Sequence, residues 1–137
     1  PTPANLTDTV TIADNDVATV SISANDADAS ETATDNGQFT VTLTKASDTD
    51  TVINYNIGGS ASGTADYTAL TGSVTILANQ LTATIDVSGI VDDSLLEGDE
   101  TVVVTLSGID SGSSDITLDP TPANLTDTVT IADNDVA

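Results

Sequence analysis

The side chains of this chain that could do chemistry are nearly all carboxylates. There are 22 acidic residues against one Lys, with no His and no Cys. They gather in a few places. The tract VDDSLLEGDE carries Asp92, Asp93, Glu97, Asp99 and Glu100. GTADY carries Asp66, and IADND carries Asp133 and Asp135. Glu31 stands just ahead of the run QFTVTLT, and all three glutamates of the chain fall in this set. Two kinds of chemistry use such groups. Paired carboxylates can serve as acid and base, but no serine here has a His partner for nucleophilic work and nothing resembles a pocket with a nucleophile, so no enzyme is expected. The other use is cation binding. Hard oxygen donors without imidazole or thiolate select calcium, with magnesium or manganese as the alternatives.

Other acids have a plainer reading. Asp48 and Asp50 in the tract DTD suit a solvated turn. Asp26 and Asp28 in NDAD neighbour Glu31 and could supply an extra ligand or simply face water.

The net charge of −21, with Lys45 as the only basic side chain, sets aside whole classes of partner. Nucleic acid needs Lys and Arg against phosphate, and anionic lipid is disfavoured for the same reason. No apolar stretch approaches the length of a membrane span. Without cysteine no disulfide framework holds the chain. Acidity with few aromatics can signal disorder, but 38% hydrophobic content with a clear period argues for a core.

That period is two. ATVSIS puts Ala18, Val20 and Ile22 on one face. QFTVTLT does so with Phe39, Val41 and Leu43, and TVINYNI with Ile53, Tyr55 and Ile57. GSVTIL offers Val74 and Ile76; LTATIDV offers Leu81, Ala83, Ile85 and Val87. TVVVTLS offers Val102, Val104 and Leu106, and DTVTIA offers Val129 and Ile131. Alternation of this kind buries one face of a strand and wets the other, and Val and Thr favour strands. Seven such runs between Gly, Asn, Asp and Ser clusters predict an all-β, immunoglobulin-like Greek-key sandwich of about seven antiparallel strands. Its core must be built largely from Val, Ile and Leu.

The chain also repeats itself. Residues 1–18 and 120–137 are both PTPANLTDTVTIADNDVA, an offset of 119 residues. Either the sequence comes from an array of that period, or the two ends were made alike by design. The array reading divides the chain into residues 1–16, equivalent to the last strand and linker of a preceding repeat, and residues 17–137, a repeat with its exit linker. The first segment then lacks a sandwich of its own and is expected to fray or to pair with an edge of a neighbouring molecule. Asp14 and Asp16 match the terminal acids of that missing unit and are expected to be orphaned from it.

In a sandwich the connections gather at two ends. The loops holding Glu31, Asp66 and Asp92 to Glu97 and the exit holding Asp133 and Asp135 can share one end. Two unit charges ~5 Å apart in water repel by roughly 0.8 kcal/mol, so about six carboxylates together approach ~12 kcal/mol before screening. That rivals the ~5–15 kcal/mol stability of a domain. One lysine cannot offset it, and a cation is expected there.

The order of these pieces resembles the Calx-beta domain over about residues 18–135. The matching elements are Glu31 ahead of the FTVTLT strand, GTADY at residues 63–67, the acids Asp92, Asp93, Glu97, Asp99 and Glu100, and the ending IADND at residues 131–135. The resemblance implies calcium at one tip, near the junction to the next domain. Its ligands would be Glu31, Asp66, Asp92, Asp93, Glu97, Asp133 and Asp135, with Glu100 nearby. Where family members can show three consecutive acids this chain has Asp92, Asp93 and Ser94.

Calx-beta domains occur in sodium–calcium exchangers, integrin β4 and long bacterial surface proteins. An acidic, Thr-rich, Cys-free unit in near-identical copies looks like the extender region of large bacterial adhesins of the RTX-secreted kind. That implies a secreted, cell-surface protein whose isolated unit is monomeric and whose partners are calcium ions and identical neighbouring repeats. Two other functions fit the same site. One is a calcium-sensing regulatory domain; the other is a calcium-dependent carbohydrate-binding module, for which three aromatic residues offer little stacking surface.

Overall fold

A computed structural model describes residues 6–12, 16–31, 35–61, 63, 66–91 and 98–132. Nine strands follow one another: β1 (Ala18–Asp26), β2 (Asp28–Ser30), β3 (Gly37–Leu43), β4 (Thr51–Gly58), β5 (Ser73–Ile76), β6 (Thr82–Val87), β7 (Glu100–Ser111), β8 (Ile116–Leu118) and β9 (Thr126–Ala132). All seven alternating runs are strands. The alternation is visible in burial: along β3, Gly37, Phe39, Val41 and Leu43 are buried and the residues between them half-exposed.

The strands form two sheets, one of four in the order β6-β3-β1-β8 and one of five in the order β2-β9-β7-β4-β5. The long strands pair antiparallel, as an immunoglobulin-like sandwich requires. The two strands that alternation does not reveal, β2 and β8, have three residues each, and both pair in parallel, β2 with β9 and β8 with β1. For β2 the cause lies in β1. Its register slips between Ala24 and Asp26, and the chain then leaves the four-stranded sheet and continues as β2 in the other. A bulge of this kind bends a strand and ends its pairing. The backbone N–H of Ala24, at the slip, donates to Asp127 Oδ2 of β9 at 2.7 Å, so one acid ties the two sheets together where β1 changes sides.

Between the sheets lie Val20, Ile22, Val41, Leu43, Ile53, Ile76, Ile85, Val87, Val102, Val104, Leu106, Val129 and Ile131, with Phe39, Tyr55 and Tyr67 the aromatic members. At ~25 cal/mol per Å² of apolar surface removed from water, these side chains supply the main drive for folding.

Residues 6–12 belong to no strand, although the same seven residues recur as 125–131 in and beside β9. Val10 is 89% exposed where Val129 is fully buried, and Ile12 is 91% exposed where Ile131 is 4% exposed. The sequence LTDTVTI is therefore a strand only where a sheet receives it, as expected when β-propensity reflects fit to a half-buried surface. No helix among the described residues is long and apolar enough to cross a membrane.

Candidate metal centre

Strand pairing settles which loops share an end. In the four-stranded sheet the end of β6 lies beside the start of β3, with Val87 opposite Gly37. Just before Gly37, Asp35 bridges to Ser30, whose N–H donates to the Asp35 carbonyl at 2.9 Å. Ser30 is opposite Ala132 at the end of β9, and the N–H of Glu31 donates to the Ala132 carbonyl at 3.1 Å. Ile131 is opposite Glu100 at the start of β7. Glu31, Glu100 and the last described residue before Asp133 thus lie at one pole.

The loop holding Asp66 reaches the same pole by a second route. Beyond Gly58, the end of β4, the chain folds over Thr101. Ser60 N–H donates to Thr101 Oγ1 at 3.1 Å, and Ala61 N–H to the Thr101 carbonyl at 2.9 Å. Gly59, at φ +96°, makes this turn possible, since a side chain there would run into the Thr101 carbonyl. Gly63 then bridges to Tyr67. The Asp66 carbonyl accepts the N–H of Val91 at 2.9 Å, and the N–H of Thr68 donates to the Ser88 carbonyl at 2.9 Å. Gly89, at φ +64°, lies against the Thr68 side chain where no Cβ would fit. Asp66 is therefore bound to the segment that ends at Val91, one residue before Asp92.

Of the eight residues expected to bind metal, three are described, and this pole holds all three: Glu31, Asp66 and Glu100. Asp92, Asp93, Glu97, Asp133 and Asp135 lie outside the described residues, as does Asp14. Among the described residues no group of three acidic side chains is close enough to hold a metal ion. Asp26 and Asp28 lie on β1 and β2, and Glu31 directly follows β2.

Burial distinguishes one carboxylate. Glu31 is 5% exposed, the only formally charged residue buried among those described. The chain's one basic side chain is remote from it. Lys45 follows Leu43 at the far end of β3, and its Nζ meets Asp16 Oδ1 at 2.9 Å. The pair is more than half exposed on both sides, so it contributes little to stability.

Tyr67 closes the inner side of the acidic pole and is 2% exposed. Burial chiefly, then the Asp66 carboxylate, then Tyr55, push its phenol above the ordinary value of 10.0. The sequence marked Tyr67 only as part of a loop motif. Its role as a core residue had no alternation to announce it.

Sequence comparison decides the family. The model of the Calx-beta domain matches residues 13–135. The chain belongs to the Calx-beta family. No curated protein matches it. Among solved structures, the Calx-beta chain is similar to CBD12 from CALX1.2, with 19% identity over 85% of this chain and 44% of that one and a TM-score of 0.66. It is also similar to the apo-form Calx CBD1 domain, at 18% identity over 85% of this chain and 99% of that one, with a TM-score of 0.62. CBD12 of CALX1.1, described as a calcium binding domain, shares 22% identity over 79% of this chain and 41% of its own, with a TM-score of 0.54. At these identities the likeness is one of fold. This chain thus spans less than half of either CBD12 chain.

Proposed function

We propose that this Calx-beta chain is a structural extender repeat of a long bacterial cell-surface adhesin, folded and rigidified by calcium where one repeat hands over to the next. The observation that carries the reading is the gathering of Glu31, Asp66 and Glu100 at one pole of the sandwich, while the single basic side chain sits at the other. Acids gathered at one pole repel one another, and a bound cation relieves that repulsion. The donor set is all carboxylate, without imidazole or thiolate, which fits a hard ion. Membership of the Calx-beta family, and the calcium binding domain of CALX1.1 among its structural neighbours, favour calcium. Glu31, Asp66, Asp92, Asp93, Glu97, Glu100, Asp133 and Asp135 would hold it. Calcium would supply the positive charge that lets these loops approach one another.

Rigidity is argued from the repeat. Ala132 ends β9 and is the counterpart of Ala13, while β1 opens at Ala18. In an array, residues 14–17 alone would join one sandwich to the next. Two of them, Asp14 and Asp16, are the counterparts of Asp133 and Asp135. A linker this short, with its acids tied to the pole it leaves, makes a stiff joint. Calcium sites of extracellular modules bind at roughly 10⁻⁴–10⁻³ M, which suits a protein that meets abundant calcium only outside the cell.

The test is a chain extended by one 119-residue period, followed by melting and small-angle scattering. Calcium should raise the melting temperature by about 10 °C, as expected for ~2.7 kcal/mol at about a hundredfold excess over Kd, and should lengthen the particle. Equal melting and equal dimensions in calcium and in chelator would end this reading.

A further inference from the structure

Residues 6–12 repeat residues 125–131, which make up all of β9 but its last residue, and the hydrophobic side chains of that copy are left in solvent. The two share local geometry as well as sequence. Thr128 N–H donates to Asp127 Oδ1 at 2.8 Å within β9, and in the N-terminal copy Thr9 N–H donates to Asp8 Oδ1 at 2.8 Å. The slot itself is well defined. β7 lines one side of it, from Thr105 opposite Thr126 to Glu100 opposite Ile131, and β2 covers only Thr130, Ile131 and Ala132 on the other side.

The N-terminal copy cannot enter this slot in its own chain. β1 runs parallel to β9, with Ala24 bound to Asp127 and Ala27 accepting the Thr130 N–H. Ala18, six residues before Ala24, therefore lies roughly 20 Å below the level of Asp127, and Ile131 lies roughly 13 Å above it, at ~3.3 Å per residue. The connection from residue 12 to residue 18 reaches about 21 Å fully extended, well short of that span. A second molecule has no such limit, because its own β1 starts afresh beyond the acidic pole.

We propose that residues 6–12 of one copy of this chain occupy the β9 slot of a second copy, antiparallel to its β7 and in the register of β9, joining the copies head to tail. Val10 and Ile12 then fill the places of Val129 and Ile131, and Asp8 takes the Ala24 N–H in place of Asp127. The incoming strand takes over the same ladder and the same burial that the displaced strand gives up, so concentration decides the balance. A tethered strand competes at an effective concentration on the order of 1 mM. Exchange should therefore involve about one molecule in a hundred at ~10 µM protein and become comparable with the closed monomer near ~1 mM. Each donor keeps an exchangeable slot of its own, so the association is open-ended rather than closed. No metal enters this inference, and it stands or falls apart from the calcium reading.

The chain has no cysteine, so a register-specific cross-link can test it. Val103 is opposite Thr128, whose counterpart is Thr9. The double variant Thr9→Cys, Val103→Cys, oxidised with glutathione disulfide, should yield covalent dimers and longer multimers whose initial rate rises with the square of protein concentration. The off-register pair Thr11→Cys, Val103→Cys should cross-link at least about tenfold more slowly, since a disulfide needs directly opposed Cβ atoms. Adding Val10→Asp and Ile12→Asp to the in-register pair should abolish multimers and leave the melting temperature unchanged, because both positions are exposed. Absence of dimers, equal rates in the two registers, or multimers that survive the aspartates would each overturn the proposal.

Discussion

Replacing Glu31 by Gln should stabilise the chain without calcium and lose most of that advantage with it. Glu31 is 5% exposed and shares its pole with Glu100 and Asp66, while the only basic side chain is at the other end of the sandwich. Each acid ~5–7 Å from the Glu31 carboxylate destabilises the folded state by roughly 0.6–0.8 kcal/mol at the permittivity of water. Asp66 and Glu100 at such distances, partly screened, would make the ionised side chain a burden of about 1 kcal/mol. Gln keeps the size and hydrogen-bonding capacity and loses the charge. In chelator the Gln variant should therefore melt about 4–8 °C higher than the parent. In calcium most of that advantage disappears. At a hundredfold excess over Kd the ion stabilises the parent by ~2.7 kcal/mol, and a tenfold weaker site reduces that to ~1.4 kcal/mol. The calcium-induced rise should fall from about 11 °C to about 6 °C. Differential scanning calorimetry of both proteins in both conditions gives all four numbers. A Gln variant that is less stable than the parent in chelator, with the same calcium-induced rise, would refute the idea that Glu31 helps to hold a cation.

Three further outcomes are expected elsewhere in the sandwich. Thr51 is fully buried and its hydroxyl has no hydrogen-bond partner among the described residues, so the near-isosteric Thr51→Val should stabilise by about 1 kcal/mol in chemical denaturation, and a loss of stability would contradict it. Asp127→Ala leaves the Ala24 N–H without its acceptor and should cost about 1–2 kcal/mol, with Asp127→Asn costing less because its amide oxygen can still accept. The Tyr67 phenol titrates above its ordinary value, through burial first and Asp66 second. The folded state holds this proton more tightly than the unfolded state does. The stabilisation is therefore complete below about pH 10 and is lost as pH rises through the folded-state value. Tyr67→Phe should remove that part of the alkaline loss, read by calorimetry and by tyrosinate absorbance.

The long strands were legible because each buries one face against a single opposed sheet, and that geometry writes a two-residue period into the chain. Val20, Phe39, Val41, Ile53 and Val102 all follow it. The period fails where a segment serves both sheets. β1 and β2 are one stretch that changes sheets at the slip after Ala24, and a three-residue strand such as β8 is too short to alternate. β7 continues to Ser111 through two register slips against β4, and each slip disturbs the period, so the run TVVVTLS marks only its first half. Asp127 was hidden for a related reason. It falls on the inward face with Val129 and Ile131, where alternation expects an apolar residue, and it is there because a bulged strand needs an acceptor. The acidic pole was easier to foresee. Once strands are placed, the sense of each connection fixes its end of the sandwich, and Glu31, Asp66 and Glu100 follow from that count alone.

The two copies of LTDTVTI show what the rest of the molecule adds to local sequence. The residues are identical, and so is the hydrogen bond from the threonine N–H to the preceding aspartate. What differs is the partner. Beside β7, Val129 and Ile131 close the core, and burying two β-branched side chains at about 1.5–3 kcal/mol each outweighs much of the entropy of ordering the backbone. Without β7 the N-terminal copy gains nothing from ordering and stays exposed. The strand is thus a property of the slot and its occupant together. In an array of 119-residue period such a segment would stand immediately before each β1, and each unit would carry on its amino side the sequence its predecessor uses to complete a sheet. The same physics that completes one sandwich in line also makes neighbouring chains able to complete one another, and only the tether favours the first outcome over the second.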